Sequence, residues 1–516
     1  MMKNRNTMRF ACLKIIVASF IAAACAQGAV VTPQMTDEVL SNPGMGLCYY
    51  HYAGRLWAYG SKTEPGDTFE DVDGLRVIYM RVLWNDIEPE EGEYRWDIFD
   101  TPAAPFIAKG KKIGIRVICC NQTENAVPQY VRDAGAKGIW FEYKAKDYAP
   151  PPGYDPMRFE PYYDDPVFLA KYEKFLKAFA ERYDGSPDVE FVDVGSMGLY
   201  GEGHGQGVRE LAKDKENYAR VAIKHLELHR RLLPRTRLYA CKAFIGNYEN
   251  WKGSPDNPIS RKMRELDIGI RNDSIFTRWW SENHDNWKVP FVVVNADFQP
   301  VLLEGGHYTR NGSRYRFDQL ADIIAEHRSS YFSIHDFPRP HLMENCGKLM
   351  DAIKLMGYRL VPVKIDYPDV VKIDEPVEIK SDWQNLGVAK CFRGAKLTWS
   401  LVDDKDNVRW SVTDVKFDAK DIPPTIPPAS PATTTCISRV RFGHNHPNPV
   451  TDPALQWAKA SGTARDPGDV TVMLAPGRYT LCVSLGTPIG RPEIALPIAG
   501  ERGTTRRYAI GKIEVR

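Results

Sequence analysis

An α/β barrel followed by an all-β sandwich is the fold that this 516-residue sequence predicts. From about Asn42 to Met356, short apolar runs alternate with amphipathic helices, which is the pattern of β/α units around a parallel sheet. After Gly357 the apolar segments become short, often alternate with polar residues and are separated by turn residues. We therefore expect a leader over 1–28, a (β/α)8 TIM barrel over 36–356 and a β-sandwich over 357–516.

Eight runs in the first region have the length and composition of barrel strands. They are Gly46–His51, Val77–Leu83, Ile113–Cys120, Val189–Val194, Leu238–Phe244, Asp267–Ile270, Pro300–Leu303 and Ser330–Ile334. Between the third and fourth runs, Phe168, Tyr172, Phe175 and Phe179 fall on one face of a helix. We expect this aromatic stripe to be buried against the barrel.

The sequence of the tail predicts a β-sandwich that has a structural or glycan-binding role and carries out no reaction of its own. Its clearest strands are Val377–Ile379, Lys396–Val402 and Arg478–Ser484. The stretch Asp421–Pro431 is expected to be an extended loop, because proline lacks the N–H that a central strand needs. Trp383 and Trp399 are expected in the sandwich core. Because Leu355–Arg359 joins the two regions without a flexible linker, we expect them to pack rigidly.

The N-terminus has the pattern of a secretory signal peptide. Four basic residues precede a short apolar stretch, Ile15–Ala24, and small residues suited to cleavage follow near Ala26 or Gly28. We therefore expect a secreted or periplasmic protein, with a lipid anchor at Cys25 as the alternative. No later run is apolar over the ~18 residues that a membrane span requires.

Composition excludes several classes of protein. The chain has 68 basic and 66 acidic residues, so it lacks the electrostatic footprint of a nucleic-acid-binding protein. Its ten cysteines contain no paired CxxC spacing, which argues against a zinc site, and no cofactor is expected. Adjacent Cys119 and Cys120 are expected to be core thiols, while a bridge between Cys436 and Cys482 remains open.

Two glutamates each follow an apolar run and precede glycine. They lie in Phe191-Val-Asp-Val-Gly-Ser-Met-Gly-Leu-Tyr-Gly-Glu202-Gly-His204 and Pro300-Val-Leu-Leu-Glu304-Gly-Gly-His307. Parallel barrels present catalytic groups at the C-terminal ends of their strands. A pair of carboxyl groups there suits glycosidic-bond hydrolysis, in which one donates a proton and the other is ionised. The alternative is that either glutamate is only a salt-bridge partner at the rim.

Resemblance to a known group of enzymes begins at the second strand. The segment Arg81–Asp97, with its Pro-x-x-Gly-x-Tyr-x-Trp-Asp turn, resembles the second-strand signature of clan A glycoside hydrolases. The runs Gly198–His204, Pro300–Tyr308, Ser330–His335 and Leu355–Arg359 resemble secreted bacterial proteins catalogued as domain of unknown function 4832. Those proteins are barrels with a β-sandwich tail, similar to family-42 β-galactosidase barrels. The resemblance spans roughly residues 40–405.

This resemblance assigns roles to four residues. In clan A the acid/base glutamate ends the fourth strand and the nucleophile ends the seventh, which implies Glu202 and Glu304 respectively. Arg81 would keep Glu304 ionised, and Arg116 lies similarly on the third strand, although either arginine could instead form a buried structural ion pair. The clan usually has an asparagine directly before the acid/base residue, where this sequence has Gly201.

Histidines and aromatic residues complete the predicted site. Three histidines follow strand ends and would contact sugar hydroxyls or, with a glutamate, a divalent metal: His204, His307 and His335. The candidate stacking platforms are Trp84, Tyr200, Trp279 and Trp280. The sequence thus predicts a retaining glycoside hydrolase acting on a poly- or oligosaccharide without a metal. Two alternatives stay open: a carbohydrate-binding protein on an inactive barrel, and a metal-dependent enzyme using the rim histidines.

Overall fold

The computed structural model describes residues 28–51, 66–143, 152–245, 257–277, 292–293, 295–306, 317–335, 338–443 and 474–516. The predicted leader up to residue 27, with its alternative anchor Cys25, lies outside these residues, as do His307, Trp279 and Trp280. Within the described ranges, no helix is long and apolar enough to cross a membrane.

Eight parallel strands close into a barrel. In chain order the strands of this half of the protein are β1 (Gly28–Val31), β2 (Gly46–His51), β3 (Leu75–Leu83), β4 (Lys112–Ile118), β5 (Gly138–Glu142), β6 (Met157–Pro161), β7 (Val189–Asp193), β8 (Leu238–Cys241), β9 (Ile268–Ile275), β10 (Val301–Gly305) and β11 (Tyr331–Ile334). The barrel order is β2-β3-β4-β7-β8-β9-β10-β11, with β11 pairing back to β2, while β5 and β6 form a separate hairpin. A barrel strand lies at each of the eight predicted positions, so the predicted fold class is confirmed, although the fifth strand ends earlier than expected, at Cys241, and the sixth continues to Ile275.

Helices surround the barrel. They are α1 (Trp84–Ile87), α2 (Asp97–Ala108), α3 (Gln129–Asp133), α4 (Pro166–Tyr183), α5 (Gln206–Leu211), α6 (Lys215–Leu232), α7 (Pro258–Glu265), α8 (Leu320–Glu326) and α9 (Pro338–Leu355). Helix α4 begins after Asp165, whose side chain accepts a hydrogen bond from the Phe168 backbone N–H. Its predicted stripe of four aromatic side chains is buried, as expected.

Side chains fill the part of the barrel interior that lies nearer the N-terminal ends of the strands. One buried cluster contains inward-facing residues of six strands, including Tyr79, Phe191, Tyr239 and Tyr331. At Gly114 of β4 an added Cβ would lie 2.6 Å from the Phe191 ring, so the absence of a side chain there makes room for the aromatic packing. These aromatic side chains thus form a packed apolar layer inside the barrel.

The tail is a two-sheet sandwich. Its strands are β12 (Leu360–Pro368), β13 (Val370–Val371), β14 (Pro376–Asn385), β15 (Lys396–Val402), β16 (Val408–Asp414), β17 (Thr434–Arg441), β18 (Gly477–Gly486), β19 (Pro492–Ile494) and β20 (Tyr508–Val515). One sheet has the order β1-β12-β14-β17, and the other β13-β20-β18-β15-β16 with β19 beside β18. Trp383 and Trp399 are fully buried in a core shared by both sheets, as expected.

Two details differ from or refine the sequence expectations, and two agree with them. Gly28–Val31 pairs antiparallel with β12 and therefore belongs to the sandwich, although it precedes the barrel in the chain. Cys436 and Cys482 are free thiols, and the bridge considered for them is not formed. The proline-rich stretch Asp421–Pro431 contains no strand, and Cys119 and Cys120 are buried thiols.

The barrel and the sandwich contact each other directly at the base of the barrel, the end at which its strands begin. The Gly357 N–H donates to the Ser329 carbonyl at 2.8 Å, and the Tyr358 hydroxyl donates to the Pro43 carbonyl at 2.7 Å. Arg359 donates to two backbone carbonyls of residues 36 and 38, each at 2.9 Å. Val388 of the sandwich region is part of the barrel core, so the hydrophobic cores meet without a linker.

Candidate active site

The two glutamates reach the same end of the barrel by different routes. Glu304 lies within β10. Strand β7, by contrast, ends at Asp193, and Glu202 comes nine residues later, directly after a short 3-10 turn, Leu199–Gly201. The expectation that Glu202 itself ends the fourth strand is therefore wrong. A glycine-rich loop brings its carboxylate back over the barrel axis.

This loop explains why no asparagine precedes Glu202. Gly201 has φ +70°, and an added Cβ would lie 2.5 Å from the Gly195 Cα and 2.8 Å from the Gly195 carbonyl oxygen. A side chain at this position would require the backbone to shift. The neighbouring Tyr200 also has a positive φ of 58°. Strained backbone of this kind is concentrated at functional sites, which supports a role for this loop in the site.

Two buried arginines join the glutamates. Arg116 of β4 donates from Nη1 to Glu202 Oε1 at 3.3 Å and from Nη2 to Glu304 Oε2 at 3.1 Å. Arg271 of β9 donates from Nη1 to Glu304 Oε2 at 3.2 Å, and the same nitrogen lies 3.7 Å from Glu202 Oε1. These two distances place the two inner carboxylate oxygens at most about 6.9 Å apart. Both arginine side chains are fully buried, so they position the carboxylates and do not contact solvent.

The outer oxygen of each glutamate faces a histidine. His204 Nε2 lies 3.5 Å from Glu202 Oε2, and His335 Nδ1 lies 3.5 Å from Glu304 Oε1. The His204 side chain is 39% exposed, whereas that of His335 is 7% exposed and its ring packs edge-on against Tyr50. Of the two predicted rim histidines that the structure describes, His204 is therefore the one accessible from outside.

The surroundings shift the pKa values of the two glutamates in opposite directions. Burial raises the pKa of Glu304, and the opposing charges of Arg116 and Arg271 do not cancel this effect. Burial also acts to raise the pKa of Glu202, but the hydrogen bond from His204 and the charges of the two arginines outweigh it, so the net shift is downward. In the unliganded protein a proton is thus favoured on Glu304, which is the reverse of the roles implied by the resemblance.

A second layer of charged residues supports this pair, and sequence reasoning did not identify it. Asp193 accepts a hydrogen bond from Arg271 Nε at 2.6 Å and another from the Tyr79 hydroxyl. Lys242, after β8, contacts Asp273 of β9 at 2.8 Å, and this pairing and the Arg271 charge hold the Asp273 pKa well below its usual range against the effect of burial. The available signal was the alternation of Arg271 and Asp273 along one strand.

The remaining predicted residues fall into three groups. Arg81 lies at the site, 3.9 Å from Glu202 Oε1, and its charge also acts to lower the pKa of Glu304, as expected, although burial outweighs this effect. The half-buried Tyr200 lies at the entrance, with its ring centroid 5.0 Å from the Arg81 guanidinium carbon and its hydroxyl donating to Gln122. Trp84 is a correction: it is fully buried among the aromatic side chains of α4 and donates to Glu88, so it presents no face to a sugar.

Metal-ligand geometry is absent from the part of the chain that the structure describes. No group of three or more His, Cys, Asp or Glu side chains there is arranged to hold a metal ion. His204 and His335 each face a different glutamate, and the third predicted histidine, His307, lies outside the described residues.

Comparisons with known proteins concern the fold. No family model matches the chain, so the resemblance to domain of unknown function 4832 stays a prediction, and no curated protein matches it either. Similar solved structures include the catalytic domain of a β-amylase from Paenibacillus polymyxa, with 12% identity and TM-score 0.39, covering 60% of this chain and 98% of that chain. Endo-glycoceramidase II from Rhodococcus sp. has 13% identity and TM-score 0.37, covering 79% and 99%. An exo-β-1,4-mannosidase from an Opitutaceae bacterium has 14% identity and TM-score 0.37, covering 61% and 56%.

Proposed function

We propose that this protein is a glycoside hydrolase that cleaves a poly- or oligosaccharide by a retaining double displacement. The observation that carries the proposal is the convergence of Glu202 and Glu304 on the same two arginine side chains at the C-terminal end of the barrel. Retaining enzymes hold their carboxyl groups about 5–5.5 Å apart and inverting enzymes about 6.5–9.5 Å apart. The inner oxygens are at most about 6.9 Å apart, a limit that is compatible with the retaining separation and overlaps only the lower end of the inverting range.

Each glutamate has a separate task in this reaction. Glu304 attacks the anomeric carbon while Glu202 gives its proton to the departing glycosidic oxygen, and a glycosyl ester on Glu304 results. Glu202 then takes a proton from water, whose oxygen attacks the same carbon and releases Glu304. Arg116 and Arg271 hold the inner oxygens, which leaves Glu202 Oε2 and Glu304 Oε1 for these steps.

Substrate binding must reverse the order of the two pKa values. The hydrogen bond from His204 is the largest influence that lowers the pKa of Glu202. Because His204 is partly exposed, a sugar hydroxyl can replace Glu202 as the hydrogen-bond partner of His204. Glu202 Oε2 would then be free, and the pKa of Glu202 would rise. Tyr200 and Arg81 lie beside this position and would contact the same sugar.

The protein is proposed to act outside the cytoplasm, because its first 28 residues have the pattern of a signal peptide. Attachment to lipid through Cys25 is the alternative to release of the soluble protein. Carbohydrate is the only partner proposed for the barrel mouth.

A second candidate function is carbohydrate binding by an inactive barrel. Gly201 in place of asparagine and the lowered pKa of Glu202 favour this candidate. It requires saccharide binding with no release of reducing ends. A metal-dependent enzyme is the third candidate, and it requires that activity be lost after chelation and restored by a divalent metal.

The first experiment is a screen of poly- and oligosaccharides for release of reducing ends, followed by Glu202→Gln and Glu304→Gln on any substrate found. We expect both variants to lose activity by at least about 100-fold, since each removes a group used in both transition states. Glu88→Gln is the matched control, because Glu88 is a buried glutamate whose partners are Trp84, Tyr130 and the Gly92 backbone, away from the site. Activity that survives in either variant at the control's level would refute the proposal.

Two further variants separate the roles. In Glu304→Ala, added azide should restore turnover by attacking the vacated face, and the glycosyl azide formed should have inverted configuration. Glu202→Ala should reduce hydrolysis of substrates with poor leaving groups far more than that of activated aryl glycosides. Equal losses on the two substrate types would argue that Glu202 is not the acid, in which case the pKa order of the free protein also describes the catalytic roles.

A further inference from the structure

A cavity of about 430 Å³ lies at the opposite end of the barrel from the two glutamates. Its barrel wall is formed where strands begin, at Arg76 of β3, Lys112 of β4 and Tyr331 of β11. Its other wall comes from the sandwich region and includes Arg393 and Arg491. The volume falls within the range of about 300–1,000 Å³ that is usual for small-molecule sites. We call this space the basal cavity.

Positive charge dominates the basal cavity. Seven basic and three acidic side chains line it, on a chain whose formal net charge is only +2. Some of these charges are neutralised: Arg76 pairs with the buried Glu190 at 3.2 Å, and Arg237 pairs with Asp267 at 2.5 Å. Arg235 pairs with Asp184 at 3.0 Å. The excess charge therefore resides on the other four basic residues of the lining, which outnumber the remaining acidic residue, Glu493.

Four cations of the lining have no carboxylate within ion-pair distance among the described residues: Lys112, Arg230, Arg393 and Arg491. Lys112 donates only to the Pro187 carbonyl, at 2.6 Å. The Arg230 guanidinium donates to backbone carbonyls, including that of Leu266 at 2.8 Å. Carbonyl groups satisfy these N–H donors without forming an ion pair, and burial lowers the pKa of Arg230 although the charges of Asp267 and Asp184 oppose this effect.

A buried donor also borders the cavity without a partner. The Arg76 side chain is 9% exposed, and its Nε has no hydrogen-bond acceptor among the described residues, although Nη2 donates to Glu190. Unsatisfied buried donors are uncommon in folded proteins and point to an acceptor supplied from elsewhere. The basal cavity thus combines cations that form no ion pair among the described residues with an unused buried donor.

We propose that the basal cavity binds a small anion that carries two tetrahedral oxyanion groups, such as a diphosphate or a disulfated ligand. Guanidinium groups bind phosphate and sulfate oxygens through paired N–H donors, which makes arginine suited to this chemistry. Two of the cations without an ion pair come from the barrel, Lys112 and Arg230, and two from the sandwich region, Arg393 and Arg491. One oxyanion group for each wall would face two of these cations. The ligand would also connect the two regions and stabilise their junction.

The test is binding of inorganic pyrophosphate to the full-length protein, measured by calorimetry and by thermal unfolding at an ionic strength held constant with sodium chloride. Sulfate serves as the single-oxyanion comparison. We expect pyrophosphate to bind and to raise the melting temperature, and sulfate to bind at least about tenfold more weakly because it engages only one wall. The double variant Arg393→Ala/Arg491→Ala should weaken pyrophosphate binding by about tenfold or more.

A charge-matched control distinguishes a site from general attraction. Arg261→Ala/Arg409→Ala removes two exposed positive charges elsewhere and should leave pyrophosphate affinity unchanged. Arg393 and Arg491 are also exposed, so their replacement should leave the melting temperature of the unliganded protein in place. Lys112→Gln is a second, independent variant expected to weaken binding. Failure of pyrophosphate to stabilise the protein beyond chloride, or equal losses in the two double variants, would overturn the proposal.

Discussion

Replacing Arg116 by methionine perturbs both glutamates at once. Arg116 is fully buried and donates to Glu202, Glu304 and the Tyr50 hydroxyl at 3.3, 3.1 and 2.6 Å. Methionine retains most of the apolar volume but removes the charge and the donors. The change therefore tests whether this arginine positions and ionises the pair or only fills the barrel.

The expected effects follow from these contacts. Removal of one partner from a buried ion pair costs about 3–5 kcal/mol of folding free energy. Because Arg271 still contacts Glu304 at 3.2 Å and Glu202 at 3.7 Å, we expect a value near the lower end, about 3 kcal/mol. A unit charge at 4 Å contributes about 4 kcal/mol at an effective dielectric constant of about 20, and one pKa unit is about 1.36 kcal/mol, so the expected shift is on the order of 3 pKa units.

The sign of the pH effect is fixed by the charge. Arg116 lowers the pKa of both Glu202 and Glu304, so its removal raises both. Both limbs of the pH profile of kcat/KM should therefore move to higher pH, by about one unit or more after relaxation around Arg271. Urea unfolding measures the stability, and initial rates across the acidic and neutral range measure the profile.

Arg359→Met is the matched control for this experiment. Arg359 is also buried, but among the described residues its guanidinium donates hydrogen bonds to the backbone carbonyls of Thr36 and Glu38 alone. We expect this control to lower stability without moving the pH profile. An Arg116→Met protein whose residual activity keeps the wild-type profile would refute the view that Arg116 controls the ionisation of the pair.

Three other outcomes are expected. His204→Ala removes the hydrogen bond that lowers the pKa of Glu202, and because Glu202 has the lower pKa of the pair in the free protein, the acidic limb of kcat/KM should move to higher pH; an unchanged limb would exclude this coupling. Lys242→Met leaves the buried Asp273 without its cation and should cost about 3–5 kcal/mol in urea unfolding, whereas a neutral change would mean that Asp273 finds another partner. Truncation after Met356 should give an insoluble or destabilised barrel, because Val388 completes the barrel core; a soluble fragment with unchanged melting temperature would show independent domains.

The barrel was predictable because its strands are apolar on both faces. Runs such as Val77–Leu83 and Val189–Val194 are bounded by turns and helices, and their positions along the chain fix which strand each glutamate follows. The aromatic stripe of α4 was equally readable, since its spacing places it on one helix face. These signals are local, and local signals determine element type and order.

The supporting charges of the site could not be read in the same way. The sixth barrel strand, β9, was expected to end at Ile270, but it continues through Arg271 and Asp273. Inside the barrel Arg271 pairs with Asp193 and Asp273 pairs with Lys242, so these charges compensate one another. Polar residues at a strand end are predicted as loop when their partners lie far away in the sequence. Only the closed barrel brings these partners together.

Trp84 illustrates the opposite error. It follows a barrel strand, as catalytic residues do, and its aromatic ring suggested contact with a sugar. In the structure it begins the short helix α1 and packs outward against α4, with Tyr172 5.2 Å away between ring centroids. The direction in which a side chain points at the end of a strand depends on the local turn, and the sequence motif does not specify that direction.

The covalent intermediate on Glu304 provides the most direct test of the proposed mechanism. In the Glu202→Ala variant, hydrolysis of the glycosyl-enzyme should be slow, so an activated aryl glycoside of the sugar found in the screen should give a burst of aryl release. Mass spectrometry of the digested protein should then show one added glycosyl unit on the peptide that contains Glu304. A glycosyl unit on a different residue, or a wild-type product with inverted configuration, would contradict the assignment of Glu304 as the nucleophile of a retaining enzyme.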